Sequence, residues 1–110
     1  MLTTEYIIEK LERLLPIYVD TYSSEEAKAE LTATLEIYVN GAVVKLEQEG
    51  IPNVFTEETA EADNYVICVS YQVALDMDIG VDYDLYSRKY LTRVNTLRNY
   101  ANQVDNNTSL

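Results

Sequence analysis

Apolar residues recur at intervals of three and four positions through most of this 110-residue chain, and helix-breaking residues are scarce. The chain holds two prolines and three glycines, and Pro16, Gly50, Pro52 and Gly80 stand between the periodic segments. Such a pattern predicts helices joined by short turns. A mass of 12.6 kDa is the size of one domain with a single core. We therefore predict a mostly α fold, with one domain of about four helices over residues 1–104 and a disordered tail over 105–110.

The predicted helices cover residues 4–15, 23–50, 59–77 and 83–104. Pro16 would end the first helix, which should bury Ile7 or Ile8, Leu11, Leu14 and Leu15. The second is long, with a start at Ser23, where Ser23-Ser24-Glu25-Glu26 has capping-box spacing, and an end at Gly50. In the third, residues 65–69 are apolar on all sides and indicate a central helix, although their β-branched content leaves a buried strand as the alternative.

The second helix carries two apolar stripes when it is projected at 100° per residue. The stripe that should face the domain's own core holds Leu31, Leu35, Tyr38, Ala42 and Leu46. Nearly opposite lie Ala33, Ile37 and Val44, with Gly41 beside them. A helix in a one-core domain requires only one such stripe. The second stripe therefore indicates either a subunit interface, with small residues permitting close approach, or a helix buried on both sides.

Charge is distributed unevenly along the chain. The net charge is −11, yet residues 88–110 hold four Lys and Arg against one Asp, while residues 1–87 hold four against eighteen Asp and Glu. A basic segment on an acidic molecule suggests docking onto an acidic partner, or cations that only offset nearby carboxylates and the helix dipole. Ten tyrosines stand against one Phe and no Trp, and tyrosine is enriched at interfaces. The candidate docking residues are Tyr83, Tyr86, Arg88, Lys89, Tyr90, Arg93 and Arg98.

Catalytic and metal-binding patterns are missing from the sequence. There is no histidine, and the single cysteine, Cys68, lies in an apolar run that favours a core position. Residues 76–84 alternate carboxylates, but Gly80 and Ser87 fall where a calcium loop requires ligands. We therefore predict no enzyme, no cofactor and no metal site. Four dispersed cations make specific DNA binding improbable.

Membrane and secretion signals are also missing. The longest apolar run is far shorter than a membrane span, and the N-terminal residues lack the pattern of a signal peptide. One cysteine cannot form an internal disulfide, so an intracellular setting is the expectation.

The order of these parts resembles the small helical head-tail connector, or neck adaptor, proteins of tailed bacteriophages. The resemblance spans nearly the whole chain and rests on a short first helix, a long second helix, an apolar third helix and a C-terminal helix. The segments that carry it are Tyr38-Val39-Asn40-Gly41-Ala42, Glu49-Gly50-Ile51-Pro52, the Tyr65 to Asp76 run Tyr-Val-Ile-Cys-Val-Ser-Tyr-Gln-Val-Ala-Leu-Asp, and Val94-Asn95-Thr96-Leu97-Arg98. The last segment matches the family's Gln-Leu-Arg-type ending only loosely.

Membership of this family would imply a virion protein of the phage neck, present in the host cytoplasm during assembly. Its subunits would form a homo-oligomeric ring beneath the portal protein, extend the DNA channel without binding DNA specifically, and meet a stopper or tail-completion protein on the far side. The basic segment could then reach an acidic portal surface. Two other interpretations stay open: an acidic DNA mimic that inhibits a nucleic-acid-binding protein, and a helical domain whose role the sequence does not reveal.

Overall fold

The computed structural model describes residues 1–15 and 24–108, with side chains through Tyr100, and these ranges contain helices and no strand. The four helices are α1 (Thr4–Leu14), α2 (Glu25–Gln48), α3 (Ala60–Met77) and α4 (Tyr83–Thr108). The predicted mostly α fold with a long second helix is confirmed. Residues 65–69 are helical, so the strand alternative is excluded.

Polar side chains cap the helix N-termini. The hydroxyl oxygens of Thr3, Ser24 and Thr59 accept the backbone N–H groups of residues three positions later, each at 3.1 Å. These bonds satisfy N–H groups that have no partner within the helix. The cap of α2 is Ser24 rather than Ser23, which lies outside the described residues together with Pro16.

The C-terminus of α2 is closed by Gly50, which has a φ of +86°. The N–H of Ile51 donates to the carbonyl of Leu46 at 2.9 Å, and the N–H of Gly50 donates to Glu47 at 3.0 Å. This is the Schellman arrangement, in which a left-handed residue just past the helix satisfies its last carbonyls. The helix therefore ends at Gln48, and the turn directs Ile51 into the core.

Helix α3 lies at the centre of the domain. It packs against α1, α2 and α4, and it buries residues on all sides. Its buried apolar residues are Ala62, Tyr65, Val66, Cys68, Val69, Val73 and Ala74. The central position predicted for this helix and the core position predicted for Cys68 are both confirmed.

Three residues predicted to lie in the core are not fully buried. Leu14 was expected in the core but is about half exposed, because α1 packs through Tyr6, Ile7, Ile8 and Leu11 instead. On α2 the buried residues are Leu35, Val39, Ala42 and Leu46. Leu31 and Tyr38 are only partly buried against this core. The core-facing stripe is thus rotated slightly from the predicted one, so that Val39 replaces Tyr38.

The α3–α4 turn contains the carboxylates that were considered as a calcium loop. Asp78 adopts a left-handed conformation, with φ of 52°, at the end of α3. Asp82 precedes α4 and accepts the N–H of Leu85 at 3.0 Å. Asp78 therefore caps the C-terminus of α3, and Asp82 caps the N-terminus of α4. Helix α4 continues to Thr108, four residues beyond its predicted end, so the helix overlaps the predicted tail, and residues 109–110 lie outside the described residues.

Candidate interaction surfaces

The second apolar stripe of α2 is exposed to solvent. Ile37 is 71% exposed and Val44 51% exposed, and Ala33 and Gly41 are exposed beside them. We call these four residues the outer stripe. Since Leu35, Val39, Ala42 and Leu46 already bury the opposite side of the helix, burial within the described part of the chain does not explain the outer stripe. The alternative that α2 is buried on both sides is excluded.

Gly41 packs against none of the described residues through the space that a side chain would fill. A Cβ added at this position would meet no atom within 4 Å. Glycine in a helix interior costs about 1 kcal/mol relative to alanine. The space above Gly41 leaves the backbone accessible, which would let a second helix approach closely at the middle of the outer stripe.

Acidic side chains stand at both ends of the outer stripe. Glu26 and Glu30 precede it on the same face of α2, and Glu47 follows it. All three are exposed, and their carboxylates form no ion pair within the described part of the chain. The surface thus has an apolar centre between acidic ends.

A basic groove of about 580 Å³ runs along α4. We use the term basic groove for its lining residues, which are Tyr71 of α3 together with Leu85, Arg88, Lys89, Thr92, Arg93 and Thr96 of α4. The Lys89 ammonium lies 5.9 Å from the ring centre of Tyr71 and 5.8 Å from that of Tyr86. The two rings meet edge to face at 5.5 Å. These contacts fix the lysine over aromatic surface at one side of the groove.

The groove cations have no carboxylate partners among the described side chains. Arg88 donates to the backbone carbonyl of Asp84 at 3.3 Å, and Arg93 donates to the side-chain oxygen of Asn64. The ion pairs of the described residues involve other cations: Lys10, Arg13, Lys28 and Arg98. For Arg88, Lys89 and Arg93 the interpretation that they only offset nearby carboxylates is therefore not supported. Their charge is free to meet an acidic partner.

Two members of the predicted docking set belong to the folded domain instead. Tyr90 is 4% exposed, because it packs against the core from the inner side of α4. Arg98 binds the end of α2, where its guanidinium donates to the backbone carbonyl of Glu49 at 3.0 Å and to its carboxylate at 3.1 Å. Tyr86 is half-buried, whereas Tyr83 is 69% exposed. The accessible docking residues are thus Tyr83, Tyr86, Arg88, Lys89 and Arg93.

The Arg98→Ala substitution should destabilise the domain by about 1 kcal/mol, since it removes a cation from the negative end of α2 and breaks bonds to Glu49. Urea unfolding would measure this change. The matched Arg88→Ala variant should lose less than about 0.5 kcal/mol, because Arg88 is exposed and lies in the groove. Equal losses in both variants would contradict a structural role specific to Arg98.

A cluster of buried ionisable side chains lies between α3 and α4. Burial raises the pKa of the Cys68 thiol to about 12, although Arg93 and Lys45 lower it in part. Burial also raises the pKa of Tyr65 and of Tyr90. Neither tyrosine hydroxyl has a hydrogen-bond partner among the described residues. A protonated, buried thiol is not a nucleophile, so this cluster belongs to the core.

Sequence reasoning missed part of the basic groove. Leu85 lies about 180° from Val94 around α4, so the same projection used for α2 would have placed it on the outer face. Thr92 and Thr96 lie on the same outer face, and neither was predicted as part of a site. Tyr71 comes from a different helix, and no pattern within the sequence places it beside Lys89.

Comparisons with protein-family models, with curated proteins and with solved structures give no match for this chain. In the part of the chain that the structure describes, no helix is both long and apolar enough to span a membrane.

Proposed function

We propose that the chain is a structural subunit that assembles into a homo-oligomeric ring, as a head-tail connector of a tailed phage. The ring would sit beneath the portal protein, extend the DNA channel and meet a stopper or tail-completion protein on its far side. The sequence resemblance supports the phage context, and the exposed outer stripe supports self-association.

The observation that carries the proposal is the exposed outer stripe on a helix whose opposite side is already buried. Single exposed apolar residues are ordinary on protein surfaces. Here two large aliphatic side chains, Ile37 and Val44, share one face of α2 with two small residues, and no side chain of the described chain covers them. Aligned apolar residues with a gap for close approach are typical of helix-packing surfaces.

The charge distribution suits a channel more than a DNA-binding protein. Binding nucleic acid requires several phosphates to be neutralised together. A molecule with a net charge of −11 would instead repel a passing DNA backbone, which favours transit over binding.

The same distribution weighs against the DNA-mimic interpretation. A mimic needs an array of carboxylates on one exposed face, at roughly phosphate spacing. The basic groove interrupts the acidic surface with three cations that lack carboxylate partners in the described region. On α2 the carboxylates are scattered around the helix instead of forming one ridge; they belong to Glu25, Glu26, Glu30, Glu36 and Glu47.

The Ile37→Asp substitution tests the proposal. The variant should stay folded, because a carboxylate at a position that is 71% exposed remains hydrated, but self-association should be lost. Native mass spectrometry over a wide concentration range, with negative-stain images of large species, would measure assembly. Circular dichroism would report the fold.

The Val54→Asp variant is the matched control. It replaces another exposed aliphatic side chain by the same charge, in the loop between α2 and α3 and outside the outer stripe, so assembly should persist. A wild-type chain that remains monomeric at all concentrations, alone and with a portal protein, would refute the ring. An Ile37→Asp variant that unfolds would show that the outer stripe supports the monomer and not an interface.

A further inference from the structure

We infer that the basic groove of α4 receives the outer stripe of α2 from the next copy of the same chain. The inference deepens the proposed function, because it rests on self-association and names both halves of the interface. It also reassigns Arg88, Lys89 and Arg93 from a portal surface to contacts between subunits.

The two surfaces match in length. The outer stripe covers residues 33–44, and the α4 part of the basic groove covers residues 85–96. Each segment advances eleven residues along a helix, which corresponds to about 17 Å. Two helices could therefore pack along the whole length of both surfaces, with the space above Gly41 admitting the partner's side chains.

The two surfaces also match in character. The outer stripe offers Ile37 and Val44, while the groove offers Leu85 and the half-buried ring of Tyr71. Packing these groups together would remove from water the large aliphatic side chains on the outer face of α2. The threonines of the groove are small enough to leave room for them.

Charge selects a copy of this chain as the occupant. No carboxylate in the described chain forms an ion pair with Arg88, Lys89 or Arg93. No cation there forms an ion pair with Glu26, Glu30 or Glu47. These three cations lie along the groove, and these three carboxylates lie at the ends of the outer stripe. Docking one surface on the other would pair them, which gives orientation and specificity to the contact.

The pairing is head to tail. One partner contributes the outer stripe of α2 and the other the basic groove of α4, which are two different surfaces of the subunit. Such an interface leaves a free outer stripe at one end of any chain of subunits and a free basic groove at the other. Repetition closes into a ring when the rotation between neighbours permits, so this contact can generate the proposed assembly.

Two charge-reversed variants test the pairing. The groove variant combines Arg88→Glu with Lys89→Glu, and the stripe variant combines Glu30→Lys with Glu47→Lys. Each variant alone places like charges across the contact, so sedimentation velocity should show self-association at least about tenfold weaker than wild type. In an equimolar mixture every contact between the two variants joins opposite charges, and assembly should return.

The control carries Glu57→Lys with Glu61→Lys, which changes the net charge as the stripe variant does but lies outside both surfaces. It should assemble like wild type, and circular dichroism should show every variant folded. If wild type assembles while the mixture stays dissociated, the pairing is refuted and the ring proposal stands. If wild type is monomeric throughout, both fail. Variants that assemble normally on their own would refute the pairing and place the basic groove against another acidic protein.

Discussion

Raising the pH from 9 towards 12 should lower the free energy of unfolding of this chain by several kcal/mol. The Cys68 thiol has its pKa raised from 9.0 to about 12 by burial, and burial raises the pKa of Tyr65 and of Tyr90 above 10.0. Above these ordinary values the unfolded chain loses protons that the folded chain retains. The free energy of unfolding therefore falls by up to about 1.4 kcal/mol per pH unit for each group. Below pH 9 the thiol is protonated in both the folded and the unfolded chain, so none of its contribution to stability is lost.

Urea unfolding at several pH values between about 8 and 11 would measure this loss. The Tyr65→Phe and Tyr90→Phe variants should each have a shallower decline, because each lacks one buried ionisable hydroxyl. Near neutral pH they should be as stable as wild type or more stable, since the removed hydroxyl has no hydrogen-bond partner in the described chain. Tyr83→Phe is the control, because Tyr83 is exposed and should not change the slope. A stability that stays constant to pH 11 would show that water reaches the cluster.

The helices of this domain were predictable because their signals are local. Apolar spacing placed all four helices, and a serine before two glutamates predicted the start of α2 to within two residues. The end of α2 was predicted two residues late, because a glycine marks the left-handed position just past a Schellman-type end and not the last helical residue. The burial of Leu14 was predicted wrongly, since spacing alone does not fix which edge of an apolar face meets the neighbouring helices.

The candidate surfaces were predictable only in part. Periodicity located Ile37 and Val44 opposite the core, but whether the chain covers them depends on tertiary packing. Charge counting located the basic segment, yet it predicted the same docking role for Arg98 as for Arg88. They differ because Arg98 faces the end of α2. There it binds Glu49, which lies 49 residues earlier in the sequence. Burial likewise separated Tyr90 from Tyr83, which composition had grouped together.

The Leu35→Ala substitution should destabilise the monomer by about 2 to 5 kcal/mol, whereas Ile37→Ala should change its stability by less than about 0.5 kcal/mol. Leu35 is fully buried, and truncating it leaves a cavity in the core that the surrounding helices fill only partly. Ile37 lies two positions further along the same helix, but its side chain is largely hydrated. The two substitutions remove similar apolar side chains from opposite sides of α2, so their difference measures how one-sided the helix is in the monomer.

Both variants would be compared by urea unfolding in dilute solution, where mass action keeps subunits apart and stability refers to the monomer. At concentrations where wild type assembles, Ile37→Ala should affect self-association more than Leu35→Ala does. Ile37→Ala should weaken assembly, because it removes apolar area from the outer stripe, while folded Leu35→Ala should retain that stripe unchanged. Comparable destabilisation of the monomer by the two substitutions would mean that the outer stripe supports the fold of a single chain and is not a subunit interface.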